Sequence, residues 1–115
     1  MKYLLTIYAS EAAESKMPPE EVGKNIQAYG AYTDALIKAG VMQGAERLRP
    51  STDATSVRVR AGKTEVLNGP YAETREQLGG YYLIDVPDLD AALSWAARCP
   101  SSSYGTIEVR PIWEM

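Results

Sequence analysis

Lys2-Tyr3-Leu4-Leu5-Thr6-Ile7-Tyr8 is largely apolar on both of its alternating faces, and so, apart from Asp85, is Gly79-Gly80-Tyr81-Tyr82-Leu83-Ile84-Asp85-Val86. Successive side chains of a strand point to opposite faces, which sets Tyr3, Leu5 and Ile7 on one side and Leu4, Thr6 and Tyr8 on the other. A strand greasy on two sides expects cover on both. Everything between and after these two strands bears on what supplies that cover.

After the first strand, residues 9–17 are polar and read as loop. Pro18-Pro19-Glu20-Glu21 then opens a helix, with proline tolerated in the first turn and acids favoured there by the dipole. Val22, Ile26, Tyr29, Thr33, Leu36 and Ile37 form its expected inward stripe, and Gly40 supplies the stop. Residues 41–48 read as a second strand interrupted by Gly44. Residues 56–60 and 64–67 flank the turn Ala61-Gly62-Lys63 and predict a β-hairpin, with Val57, Val59 and Val66 inward and Arg58, Arg60 and Glu65 outward. Asp88 caps a second helix over 89–98, whose expected inward residues are Leu89, Ala92, Leu93, Ala96 and Ala97, and Pro100 ends it. Residues 106–112 make the last strand, with Ile107 and Val109 on one face and Glu108 and Arg110 on the other.

The order β-α-β-β-β-α-β predicts an α+β domain spanning residues 1–115, a ferredoxin-like split βαβ with an extra hairpin. Two helices cover one face of such a sheet. The other would leave Leu4, Tyr8, Leu83 and Tyr81 or Tyr82 in water, a larger apolar patch than monomers usually expose. Packing against a second copy about a two-fold axis answers this, which predicts a homodimeric α/β-barrel.

Composition narrows the chemistry. The chain has no histidine and a single cysteine, Cys99. That removes Ser-His-Asp and Cys-His nucleophile systems and leaves only oxygen ligands for a metal, so any chemistry falls to carboxylates, Tyr, Lys, Arg, backbone amides or an outside cofactor; the expectation is no metal and no cofactor. The formal net charge of -3, with basic residues interleaved among acids, argues against nucleic acid as a partner. No apolar run approaches a membrane span, no signal-peptide core is present, and the unpaired cysteine suits a reducing, cytoplasmic setting.

Residues 68–86, Asn68-Gly69-Pro70-Tyr71-Ala72-Glu73-Thr74-Arg75-Glu76-Gln77-Leu78-Gly79-Gly80-Tyr81-Tyr82-Leu83-Ile84-Asp85-Val86, closely resemble the DGPF branch of the YCII-related family. The opening strand, the Gly40-Val41 helix exit and the closing residues 105–112 extend the resemblance over almost the whole chain. It implies a dimeric α/β-barrel whose members are suspected of enzymatic action on small molecules, and whose genes often neighbour those of sigma factors. Three positions depart from the branch's pattern: Asn68 for Asp, Tyr71 for Phe and Arg75 for Lys. Asn keeps the turn but not the carboxylate. The His-Asp pair suggested for the wider family has no counterpart in a chain without histidine.

Two accounts of residues 68–76 stand side by side. In one, the turn aims Asn68, Tyr71 and Arg75 at a small polar ligand, and Glu73 acts as a base if burial raises its pKa. In the other, Gly69-Pro70 merely sets a turn, Tyr71 plugs the core and Glu73 satisfies backbone amides. Structural turns outnumber catalytic ones, which favours the second. Asp85, within an apolar strand, and the pair Glu108 and Arg110, on the face turned toward the expected barrel, join the candidate ligand-binding residues, with Glu46 and Arg47 as weaker candidates of the same kind. The expected function is small-molecule binding with cofactor-independent acid–base chemistry. The alternative is a non-catalytic interaction or regulatory module linked to a sigma-factor response.

Overall fold

A computed structural model describes residues 1–114. Its strands are β1 (Lys2–Ala9), β2 (Met42–Arg47), β3 (Thr55–Arg60), β4 (Lys63–Asn68), β5 (Gln77–Asp85) and β6 (Thr106–Pro111), and its helices are α1 (Glu11–Glu14), α2 (Pro19–Lys38) and α3 (Leu89–Arg98). Short 3-10 turns occupy Ser51–Asp53 and Pro100–Ser103. The main sheet runs β2-β5-β1-β6 with every pairing antiparallel. This is a mixed α+β arrangement of ferredoxin-like order. Among the described residues no helix is long and apolar enough to cross a membrane.

The alternation of β1 sorts the molecule into sides. Tyr3, Leu5, Ile7 and Ala9 are buried, and Leu4, Thr6 and Tyr8 between them are only half-buried. The core forms where the first set meets Tyr82 and Ile84 of β5, Tyr32 and Leu36 of α2, and Ala92 and Ala96 of α3. Both helices therefore cover the same face. Tyr32 and Tyr82 meet edge to face at 5.2 Å, and the Tyr32 hydroxyl donates to the Trp95 carbonyl at 2.7 Å, which ties α2 to α3. Tyr82 points to the helices and Tyr81 to the open face, settling which tyrosine lies where. Opposite the helices, Leu4, Thr6, Tyr8, Tyr81 and Leu83 share the open face with Glu108 and Arg110.

Several expectations need correction. The polar segment after β1 contains α1, capped by the Ser10 hydroxyl, which accepts from Ala13 N at 3.1 Å. On α2 the buried residues are Tyr32 and Leu36; Val22 and Ile26 are exposed where the first half of the 20-residue helix overhangs the sheet, and Ile37 is exposed because it points about 100° away from the fully buried Leu36. On α3, Leu89 and Leu93 are similarly exposed and only Ala92 and Ala96 are buried. The interruption expected at Gly44 is a register shift between Met42 and Gly44 in the β2–β5 pairing.

The largest departure is the hairpin. β3 and β4 pair only with each other, joined by a two-residue turn with Ala61 at φ 52 and Gly62 at φ 75. The left-handed pair is the tight hairpin geometry that follows strand twist. Val57, Val59 and Val66 do share one face, but that face meets solvent, with 66%, 59% and 65% of each residue exposed. Alternation correctly separated the two faces of the ribbon, but none of the described residues covers the apolar one. The projecting ribbon helps to explain a radius of gyration of 16.1 Å, against roughly 13 Å for a compact domain of this length.

These contrasts order the costs of substitution. Leu36→Ala, at a fully buried site, is expected to cost about 2–5 kcal/mol in denaturant unfolding. Gly105→Ala puts a Cβ into the Tyr8 carbonyl oxygen and is expected to cost about 1–3 kcal/mol. Val57→Thr on the ribbon is expected to stay within about 0.5 kcal/mol; a larger loss there in the isolated chain would mean the ribbon is packed.

Candidate functional site

Where α2 outruns the sheet, a cavity of about 690 Å³ opens between the helix's first half, α1 and the β2–β5 end of the sheet. Its size lies within the range of small-molecule sites. The floor is formed by Ile7, Ala45 and Tyr82, with Gly79 and Gly80 leaving room that side chains would fill. At Gly80 a Cβ would stand 2.7 Å from the Glu46 carbonyl oxygen, so the close strand approach there requires glycine. Val22 and Ile26, exposed on α2, form the opposite wall.

The mouth is held by α1. The Glu11 amide donates to Gln77 Oε1 at 2.9 Å, and the Glu11 carboxylate accepts from the Ser51 amide at 3.0 Å and from its hydroxyl at 3.2 Å. One residue thus ties α1 to both the start of β5 and the loop after β2. Glu46, Arg47 and Arg49 add charge to the rim, with Arg49 engaged by Asp53 at 2.9 Å.

The polar end of the cavity is a hydroxyl cluster. Tyr29 and Ser101 both line it, and their side-chain oxygens are hydrogen-bonded to each other. Ser101 also meets the Tyr104 hydroxyl at 3.0 Å, and Asn25 Nδ2 donates to the Tyr104 oxygen at 3.1 Å. Tyr29 approaches the Cys99 sulfur at 3.5 Å. Burial pushes the phenols of Tyr29 and Tyr32 well above their ordinary value and raises Tyr82 and the Cys99 thiol in the same direction. All four stay protonated and neutral at physiological pH. A second, flatter depression lies along another side of α2, between Glu21, Lys24 and Tyr104.

Of the residues singled out from the sequence, the weaker candidates Glu46 and Arg47 line the cavity, and Asn68, Tyr71, Glu73, Arg75, Asp85, Glu108 and Arg110 do not. Asn68 ends β4, where it pairs with Thr55. Gly69, at φ 109, donates its amide to the Ala54 carbonyl at 2.7 Å and accepts from the Ser56 hydroxyl at 3.0 Å, so this turn closes the base of the ribbon. Tyr71 is 81% exposed and plugs no core; Glu73 and Arg75 are exposed in the same segment. Asp85 sits at the end of β5, 3.1 Å from the chain's terminal ammonium. Glu108 and Arg110 pair with each other at 3.1 Å on the open face, where the Thr6 hydroxyl also reaches Glu108 Oε1 at 3.5 Å. Sequence reasoning missed Asn25 and Ser101 and assigned Tyr29 to packing. The available signal was Asn25 and Tyr29, polar-tipped and four apart, on the helix face bearing Tyr32 and Leu36.

The YCII-related domain family matches residues 1–115. An uncharacterized protein of Rhizobium meliloti (strain 1021) is 39% identical over 114 residues, covering 97% of this chain and 92% of the relative.

The buried phenols make stability depend on alkaline pH. A phenol whose folded pKa is raised above about 10 contributes stability that is intact below that pH and is lost as pH climbs toward the folded value. Chemical denaturation is therefore expected to show falling stability above about pH 10, with the tyrosinate absorbance of Tyr29, Tyr32 and Tyr82 appearing only as the chain unfolds. Ionisation of all eight tyrosines before any loss of structure would contradict the burial.

Proposed function

The chain belongs to the YCII-related family, and for this member we propose binding of a small organic molecule in the cavity between α2 and the β2–β5 end of the sheet. The observation that carries it is the cavity itself: apolar floor and wall, a hydroxyl cluster at one end and a charged rim. Apolar enclosure with a few convergent polar groups is the usual make-up of a ligand site. Acid–base catalysis by Glu73 would require that exposed side chain to be covered by another molecule, so the proposal rests on the cavity rather than on that residue.

In this reading the working unit is a homodimer. Leu4, Tyr8, Tyr81 and Leu83 face away from both helices, and a second copy packed on them would close the sheets into a barrel. The cavity lies largely on the helix side and shares Tyr81 with the open face, so pairing would cover that edge and leave the rest open. A second reading, a non-catalytic interaction module, draws on the ribbon's solvent-facing Val57, Val59 and Val66.

A thermal-shift screen of uncharged and anionic metabolites is expected to find compounds that stabilise the protein, since binding to the native state raises its melting temperature. Ile26→Trp, at an exposed helix position on the cavity wall, is expected to abolish those shifts while leaving the ligand-free melting temperature nearly unchanged. Hits that bind the variant equally well would place the ligand elsewhere, and a screen without hits would favour the interaction reading. For the dimer, the wild-type melting temperature is expected to rise with protein concentration, and that dependence is expected to vanish in Leu83→Asp. A wild-type value independent of concentration would argue against pairing.

A further inference from the structure

The hydroxyl cluster can be ordered in one direction from its fixed donor. The Asn25 amide nitrogen is a donor only, and it donates to the Tyr104 oxygen. Tyr104 and Ser101, and Ser101 and Tyr29, are in hydrogen-bond contact with either oxygen able to donate, and in the order in which the Tyr104 proton goes to Ser101 the Ser101 proton goes to Tyr29. Tyr29 stands at the end of this line. In that order its own proton has the Cys99 sulfur, at 3.5 Å, as acceptor. Sulfur is a weak acceptor. A carbonyl oxygen entering the cavity would be the better partner.

We infer that the line runs from Asn25 to Tyr29, that Tyr29 is the hydrogen-bond donor that selects the ligand, and that the ligand is an uncharged, mainly apolar molecule carrying a carbonyl group. The inference rests on the cavity being the binding site and goes further by naming the chemical class it takes. Ile7, Val22 and Ile26 offer a carbonyl compound an apolar bed, and Tyr29 offers its oxygen one neutral donor. A carboxylate fits poorly at Tyr29: one neutral donor does not offset the desolvation of a full charge, and the rim's Arg47 and Arg49 lie among Glu11, Glu14 and Glu46. Burial of the Tyr29 phenol keeps it protonated, and hence a donor, across the physiological range.

Three fluorescent probes on one naphthalene frame separate the possibilities: the neutral ketone prodan, 2-dimethylaminonaphthalene without the carbonyl, and 6-dimethylamino-2-naphthoate. Titrated into wild-type protein, prodan is expected to bind about fivefold more tightly than the carbonyl-free probe, the contribution of roughly one neutral hydrogen bond, and the carboxylate most weakly. Tyr29→Phe is expected to lower prodan affinity to the level of the carbonyl-free probe, whose own affinity stays unchanged. Asn25→Asp turns the donor at the head of the line into an acceptor and reverses it, so the Tyr29 proton turns back to Ser101; prodan affinity is expected to fall by a similar factor. An unchanged prodan affinity in either variant, with binding still lost in Ile26→Trp, overturns the directed donor and leaves the cavity standing. If no probe binds, or if Ile26→Trp binds all three as wild type does, the cavity reading fails and this inference fails with it.

Discussion

The backbone of β1 is hydrogen-bonded on both sides, to β5 along one edge and to β6 along the other. A strand held this way cannot slip or rotate without breaking two ladders, so its alternation is imposed on the whole molecule. Tyr3, Leu5 and Ile7 go to the helices and Leu4, Thr6 and Tyr8 go to the far side. Leu5, Leu36 and Ile84, all fully buried, then contribute roughly 1.5–3 kcal/mol each as the helices settle on the first side. The second side receives no such cover from its own chain.

The site follows from a mismatch of lengths. α2 runs for 20 residues, about 30 Å at 1.5 Å per residue, and its first half passes beyond the part of the sheet that supports Tyr32 and Leu36. A helix that overhangs a sheet leaves space beneath it. Gly79 and Gly80 enlarge that space, α1 closes it from the side through Glu11, and the turn after α3 supplies Ser101 at its inner end. Core and cavity are consequences of the same packing. The open face takes no large part in either, which leaves it free for another molecule.

Features encoded by neighbours in the chain were legible in the sequence. Asp88 does cap α3, its carboxylate accepting from Ala91 N at 2.9 Å; Gly40 does take the left-handed conformation beyond α2, at φ 73; and Glu108 and Arg110 do share a face. The family resemblance was likewise carried by a contiguous run and matches the domain found over the full chain. Features made by distant residues were not legible. Alternation placed Val57, Val59 and Val66 on one side of the ribbon, but alternation carries no information about whether a surface lies opposite. The cavity was invisible for the same reason: Asn25, Tyr29, Gly80 and Ser101 come from three separate segments and form no motif. The charged run over 68–76 drew the eye because it is contiguous, and its turn closes the ribbon rather than the pocket.

One sheet, then, has a helix side that folds the chain and shapes a pocket, and a bare side whose apolar residues call for a matching surface. Sedimentation equilibrium at micromolar concentration addresses that division most directly. The account predicts a mass twice the 12.6 kDa of the chain. A single species at 12.6 kDa across the concentration range would contradict it, since Leu4, Tyr8, Tyr81 and Leu83 would then be stable facing water.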